Sequence, residues 1–336
     1  MKKSRIFLGI VLSSFFAASL NACQAPIIRN GRYYNDAQDD RWHLVDGAKI
    51  AAVTKLHAMP YGICDRNIWY EQATPPERSQ EPLITWIGHA SFLIQIGGIN
   101  IITDPVFGNL SFLYPRQSPA GLSPKQLPHI DYVLISHNHR NHLDLPSLSR
   151  LKADHSPIFL VPENTTISGF GKIIEKTWGG SESHTASGIT FTFLPAYHWS
   201  GTNLFDTRKA LWGSWMITHN NHTIYFAGDS AYGPHFRDIA TLFPHIDVAL
   251  MPIAPGEPHE YTKYSHMNAS EAVQAFLDLN AQTFIPIHWG TFQLGPDSFD
   301  YPLTMLRQAW QSYADRLTQK NLTILKFGGH WTNMHT

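Results

Sequence analysis

The sequence predicts an α/β protein in which two β-sheets pack together with helices outside, and three observations carry that expectation. Short apolar runs rich in β-branched and aromatic residues come in two batches, one from Leu83 to Val161 and one from Ile189 to Ile287. Segments with helical spacing of apolar residues accompany each batch. Histidines or a carboxylate fall just past the ends of several runs, which places the chemistry on loops at one edge of the two sheets.

Before the first batch, the chain opens with Lys2, Lys3 and Arg5 and an apolar stretch, Ile6 to Leu20, that is short for a membrane span. That order is the pattern of an export signal, assigned to residues 1–22. Leu20-Asn21-Ala22-Cys23 resembles the bacterial lipobox, in which the cysteine is lipidated and becomes the mature N-terminus. A multiply acylated Cys23 would be a stable membrane anchor, since each buried CH₂ contributes about 0.8 kcal/mol. Gln24 is not the aspartate associated with inner-membrane retention, so the expected location is the bacterial cell envelope, on the outer membrane facing the periplasm. Cys64 is then the one remaining cysteine, and an internal disulfide is excluded despite the oxidising compartment. Residues 23–80 are rich in Asn, Asp, Arg, Tyr and Pro without sustained periodicity, as suits a tether and N-terminal extension that wraps over the main domain, residues 81–334.

Within that domain, Leu83 to Ile87, Phe92 to Ile96 and Asn100 to Thr103 read as a meander of strands, the last two joined by Gly97-Gly98 and stopped by Asp104-Pro105. Val106 to His129, with four prolines and several aromatics, reads as a loop over the site. Ile130 to Ile135 and Pro157 to Val161 are strands flanking a helix from Leu145 to Lys152. In the second batch the strands are Ile189 to Leu194, Gly213 to Ile217, Thr223 to Phe226, Val248 to Met251 and Thr283 to Ile287. His235 to Phe243 and Ala269 to Leu279 are helices between them, Leu303 to Leu317 a closing helix, and Leu322 to Lys326 a last strand.

The stretch around which these elements are arranged is Ser136-His137-Asn138-His139-Arg140-Asn141-His142-Leu143-Asp144. Histidines at i and i+2 point the same way from an extended backbone, and a third at i+5 can swing in as the chain turns. His198, Asp229 and His288 likewise stand just past strand ends, giving a candidate ligand set of His137, His139, His142, His198, Asp229 and His288, with Asn141 among them. Imidazole and carboxylate donors without thiolate suit zinc, with iron or manganese as alternatives, at an open catalytic site. Six such ligands are too many for one tetrahedral zinc; two ions about 3.5–4 Å apart, bridged by a carboxylate, would use them all and favour attack at phosphorus or a carbonyl.

Bulk composition restricts the partners. With 25 Lys and Arg against 26 Asp and Glu, a net charge of −1 and no basic block, a nucleic-acid partner is not expected. At 43% hydrophobic residues over 336, the chain has ample material for a core.

These motifs resemble the metallo-β-lactamase superfamily, whose signature is His-x-His-x-Asp-His followed by a later His, Asp and His. The match is closest to the branch of N-acylphosphatidylethanolamine-hydrolysing phospholipases D. It is carried by Trp86-Ile87-Gly88-His89-Ala90, Thr103-Asp104-Pro105-Val106-Phe107, Leu134 to His139, Trp212-Gly213-Ser214-Trp215, Phe226-Ala227-Gly228-Asp229 and Ile287-His288-Trp289-Gly290-Thr291-Phe292, and it covers Leu83 to His330. The resemblance implies an αββα sandwich with the active site at one edge of the sheets. It also implies a first metal on His137, His139 and His198, a second on position 141, His142 and His288, and Asp229 as the bridge and a catalytic residue. His266 matches a family histidine close to the reacting group, and its alternative reading is structural, beside the helix cap Asn268. His89 and Asp104 are expected to organise hydrogen bonds and loops around the ligands rather than bind metal.

One position departs from the signature: residue 141 is Asn, not Asp. A neutral amide balances no charge of a second dication, so that ion is expected to bind more weakly. The implied activity is hydrolysis of a phospholipid, N-acylphosphatidylethanolamine or a relative. Two alternatives stand beside it: another hydrolase of the same fold acting on a lactone, a β-lactam or a different phosphodiester, and a weakened lipoprotein that binds metal or lipid without turnover. The sequence gives no expectation about oligomeric state.

Overall fold

Residues 25–36, 62, 64–203 and 205–333 are described by the structure, a computed structural model. The export signal and Cys23 lie outside them. A short hairpin comes first, β1 (Ile27–Arg29) and β2 (Arg32–Tyr34), followed by a single helical turn, α1 (Arg66–Trp69). The meander follows as β3 (Leu83–Gly88), β4 (Ser91–Ile96) and β5 (Ile99–Thr103). β4 and β5 meet across Gly97 and Gly98, whose φ values of 55° and 72° are those a two-residue hairpin turn with both central residues left-handed requires. Then come β6 (Tyr132–Leu134), α2 (Leu145–His155), β7 (Ile158–Pro162), β8 (Ile173–Lys176), β9 (Ser181–His184), β10 (Ile189–Leu194), β11 (Ser214–His219) and β12 (His222–Phe226). The remainder is α3 (His235–Leu242), β13 (Val248–Pro252), α4 (His259–Thr262), α5 (Ala269–Leu279), β14 (Thr283–Ile287), α6 (Tyr301–Ser312), β15 (Asn321–Leu322) and β16 (His330–Thr332).

Two seven-stranded mixed sheets result, in the orders β16-β3-β4-β5-β6-β7-β8 and β15-β14-β13-β12-β11-β10-β9. Each is antiparallel on one side and parallel on the other. The period-two pattern of the strands sorts their side chains. Ile84, Trp86, Phe92 and Ile94 enter one large core with Phe191, Phe193, Trp215 and Phe226 of the other sheet, whereas Ile87, Leu93, Ile102, Val133 and Phe159 pack outward with Leu148 and Leu151 of α2. Losing one such aromatic to Ala costs about 3–5 kcal/mol, so this double layer fixes the strand ends rigidly.

Direction follows from topology. β3 and β5 both lie antiparallel to β4 and therefore run the same way, and β6 is parallel to β5. β10 and β12 share a direction for the same reason, with β13 and β14 parallel to β12. His89, Asp104 and the 136–144 loop thus leave one sheet at a common edge, and His198, Asp229 and His288 leave the other. The α/β sandwich expectation holds.

Several elements differ from the sequence reading. β8, β9 and β16 are additional strands; all three are sheet-edge strands of three or four partly exposed residues, too short to show a clear apolar alternation. The closing helix begins two residues earlier and ends at Ser312, followed by a 3₁₀ turn over Ala314–Arg316. Of the expected last strand only Leu322 pairs as a strand, with Asn321, against β14. The loop from Val106 to His129 is irregular apart from a 3₁₀ turn, Pro124–Gln126, and Arg116 pins it. The Arg116 guanidinium donates to the carbonyls of Ile87, Val106 and Ser118 at 2.8–2.9 Å.

The described part of residues 23–80 is more than a tether. The β1–β2 hairpin turns at Asn30-Gly31, both left-handed, and inserts Tyr33 into the core, where its hydroxyl donates to Glu163 and accepts from Asn164. An Asn-Gly pair is the strongest short-range hairpin signal a sequence offers, and here it was the legible clue.

Candidate metal centre

Seven of the residues singled out by sequence converge at the shared edge of the sheets, each placed by a strand end. Leu134 ends β6, and the following loop is tied down by Asp104, whose carboxylate accepts from the Ser136 amide (2.7 Å) and the Ser136 hydroxyl (2.5 Å). Asn138 accepts from the Gly201 amide at 2.6 Å, joining this loop to the one after β10. Asp144 is committed elsewhere: it caps α2 by accepting from Ser147, so it does not compensate for Asn141. Gly228, at φ 60°, brings the end of β12 against the 136 loop, where a Cβ would lie 2.5 Å from the Ser136 Cβ; only glycine permits the approach that puts Asp229 at the centre.

On one side of Asp229 stand His137, His139 and His198. Nε2 of His137 lies 2.8 Å from Nδ1 of His139, and Nε2 of His198 lies 3.1 Å from the same Nδ1. Three imidazole nitrogens facing one another this closely cannot all be satisfied by protons, because each neutral ring has a single N–H. They suit a cation: zinc–nitrogen bonds of about 2.05 Å at tetrahedral angles put neighbouring nitrogens about 3.3 Å apart. The opposite ring nitrogens fix two tautomers. His198 Nδ1 donates to the Ser265 carbonyl at 2.7 Å, and His137 Nδ1 lies 2.9 Å from the Ser136 hydroxyl.

On the other side stand His142 and His288. Oδ2 of Asp229 is 3.1 Å from His142 Nε2, 3.2 Å from His288 Nε2, 3.7 Å from His198 Nε2 and 3.8 Å from His137 Nε2. Oδ1 of Asp229 is buried with no hydrogen-bond partner. A buried carboxylate lying among both histidine groups, with one oxygen unused, is the arrangement a bridging ligand requires. His142 Nδ1 is 2.7 Å from the Asp104 carboxylate, which orients Nε2 toward Asp229.

Electrostatics follow the same division. Burial, reinforced by His142, His139 and His198, holds the His137 imidazole well below its usual value, and burial likewise brings His139 down to about 3. His198 is lowered too, by burial against the pull of Asp229. These rings are neutral and ready to ligate at neutral pH. His142 is the exception: burial disfavours its charge, but Asp229 and the Asp104 hydrogen bond outweigh burial and push it up to about 10. Asp229 stays well below the ordinary carboxylate range, because His142 and His288 overcome the cost of burying it.

Asn141 is at the site, its amide Nδ2 3.0 Å from His89 Nε2 and 3.2 Å from His288 Nε2. His266 borders the same opening, with Nδ1 3.9 Å from Asp229 Oδ2 and its ring 5.1 Å from that of His198. Burial brings it down to about 4, so it faces the opening as a neutral ring. Its structural reading is also met in part, since Asn268 two residues on caps α5 in a capping box with Glu271.

Asn35 is a supporting residue that the sequence reading missed. From the N-terminal extension it donates to the His198 carbonyl (3.0 Å) and accepts from the His198 amide (3.1 Å) and the Trp212 indole (2.8 Å). No local pattern marks it, because its partners lie more than 160 residues away.

The centre opens into a cavity of about 360 Å³ lined by His139, Asn141, Trp199, Pro255, His266 and Leu294, with Arg140 at its rim. Arg140 also lines a neighbouring cavity of about 620 Å³, reached by Leu110, Asp144, Leu145, Thr165 and Lys209.

Comparison with known proteins agrees with the geometry. Residues 99–289 match the family described as the beta-lactamase superfamily domain. The chain is 31% identical over 233 residues to N-acyl-phosphatidylethanolamine-hydrolyzing phospholipase D 1 of Caenorhabditis elegans, a stretch covering 64% of this chain and 65% of that protein. It is 33% identical over 256 residues to the mitochondrial N-acyl-phosphatidylethanolamine-hydrolyzing phospholipase D of Saccharomyces cerevisiae, covering 69% and 53%. The aligned part thus spans about two thirds and about half the length of these relatives. A solved metallo hydrolase from the archaeon Ignicoccus hospitalis has the same fold at 20% identity, with a TM-score of 0.58 over 76% of this chain and 99% of that one.

Proposed function

Because this chain belongs to the beta-lactamase superfamily and is built as a metal-dependent hydrolase of that fold, we propose that it is a phosphodiesterase of the phospholipase D type acting on N-acylphosphatidylethanolamine or a related phospholipid. The observation that carries the lipid part is the surface around the opening. Among the described residues, eight large apolar side chains are exposed. Six of them stand on segments that border the two cavities: Phe112 (97% exposed), Leu113, Tyr114, Leu145, Phe205 (81%) and Tyr264. A rim of this kind suits an opening that receives its substrate from a bilayer or micelle. No helix among the described residues is long and apolar enough to cross a membrane.

His137, His139 and His198 would hold one metal ion and His142 and His288 a second, with Asp229 between them. Bound there, the ions, zinc by preference of the donor set, supply positive charge to the phosphoryl oxygens and lower the pKa of water. The chain's own contribution is positioning. Arg140, exposed at the rim shared by both cavities, is placed to pair with the anionic diester. His266 presents a neutral ring, so it can offer one hydrogen bond to a phosphate or leaving group but carries no extra proton at pH 7. Asp104 and Asn35 keep the ligating rings oriented.

The reading is tested by supplying N-acylphosphatidylethanolamine in mixed micelles with zinc and following phosphatidic acid. Release of phosphatidic acid, with nitrocefin and simple lactones turned over more slowly, is the expected result; faster turnover of either would move the assignment to another hydrolase of the fold. Asn141 favours one further reading, a protein with a weakened second metal that binds lipid or metal without turnover, and absence of hydrolysis at saturating zinc would select it. We further propose that Cys23 is lipidated and anchors the protein in the envelope. Mass spectrometry of the mature N-terminus should find an acylated Cys23, and an unmodified N-terminus elsewhere would refute the anchor.

A further inference from the structure

We propose that His89 is a ligand of the second metal ion and takes the place left by the missing carboxylate at position 141. The inference rests on the metal-binding reading of the site and not on its substrate.

His89 follows β3 and is 1% exposed, with a left-handed backbone at φ 55°. That backbone is over-determined: the His89 amide donates to the Thr291 hydroxyl at 2.8 Å, and the His89 carbonyl accepts from the Trp86 indole at 3.2 Å and the His288 amide at 3.1 Å. A sparsely populated backbone state held this firmly, at a metal centre, directs attention to the side chain it aims. The ring is centred 4.0 Å from that of His288 and 5.2 Å from that of His142. One potential ligand atom from each of His89, His142 and His288 lies within 4.8 Å of the others. One ring nitrogen, Nδ1, is buried without a partner, and the other, Nε2, has the Asn141 amide as its hydrogen-bond contact at 3.0 Å.

Asn141 points to the same assignment. Its amide lies between the Nε2 atoms of His89 and His288, so the residue that would have been a carboxylate stands next to a third buried imidazole. Together with Asp229, the three imidazoles make a three-nitrogen, one-oxygen set, which is a full complement for tetrahedral zinc. The substitution therefore removes charge from the second position without reducing its ligand count.

The test counts metal ions on the full-length protein. Zinc bound at defined free concentrations is measured for the native chain and for H89G, H288G and N141A, glycine being chosen at positions 89 and 288 because both backbones are left-handed. Expected are two ions on the native chain, and on H89G and H288G one ion retained while the second weakens by about a hundredfold or more. N141A should keep two. H89G holding two ions with native affinity would overturn the proposal, as would loss of the second ion in N141A alone. A native chain that binds no zinc would instead sink the metal-dependent reading itself. A second measurement does not depend on the folding of any variant at position 89. In H266Q protein loaded with cadmium-113 and labelled in its histidine rings, six imidazole nitrogens should show coupling to cadmium; five would overturn the assignment.

Discussion

Replacing Asp104 by Asn should weaken the second metal ion without touching a ligand. One Asp104 oxygen accepts from the Ser136 amide, and the other receives both the Ser136 hydroxyl and His142 Nδ1. Asparagine can keep the first contact with its carbonyl, but its NH₂ then faces His142 Nδ1. The favourable response is for that nitrogen to carry no proton and accept, which leaves the ring's one proton on Nε2, the atom 3.1 Å from Asp229 and directed at the metal position. Losing an orienting carboxylate of this type costs about 10- to 100-fold in metal affinity, or about 1.4–2.8 kcal/mol. The metal-free fold should also suffer, since each buried hydrogen bond to a charged partner contributes about 1.5–3 kcal/mol. Chelator competition would read the two affinities, and urea melts in chelator would read the fold. The expected outcome is a native first ion, a second ion weakened at least tenfold and a lower urea midpoint. Native affinity for both ions in D104N would show that Asp104 does not set the His142 tautomer.

Asn35→Ala removes two hydrogen bonds from the backbone of His198 and should weaken the first ion about tenfold; a native first affinity would show that the N-terminal extension does not support the centre. His235 is buried and neutral, brought down to about 3 by burial, whereas an unfolded histidine titrates near 6.5. Its stabilising effect is therefore present above pH 6.5 and lost as pH falls, by about 2 kcal/mol at pH 5, so His235→Gln should flatten the acid side of the stability profile by that amount. Equal profiles would contradict it. Arg140→Ala should raise KM for an anionic phospholipid more than it lowers kcat, and the reverse split would place Arg140 in the chemistry. Asn141→Asp restores an anionic group at the second position and should tighten that ion about tenfold; no tightening would mean that charge is not what the position lacks.

The candidate residues that converge were legible because each stands past an apolar run or on the loop that follows one, and strand ends are visible in sequence. His89 and Asp104 carry the same mark, after β3 and β5, but their importance depends on β3, β5 and β6 sharing one direction, which only sheet topology reveals. Asn35 has no mark at all, since its role is defined by partners brought in from 198 and 212. Among the strands that escaped detection, β8, β9 and β16 are edge strands of three or four half-buried residues, too short to show the alternation that betrays a central strand. Position 141 is a departure from the motif visible in the sequence itself, whereas the 3.0 Å approach of its amide to His89, 52 residues earlier, leaves no trace in sequence spacing.

Zinc titration of the native protein followed by elemental analysis tests the proposed two-metal centre, in which Asp229 would stand between the ions. Two ions per chain at saturating zinc are predicted, with the second released first by a mild chelator, and with His137→Ala and His288→Ala each binding one fewer. A native chain that saturates at a single ion, or a His137→Ala variant that still holds two, would contradict it.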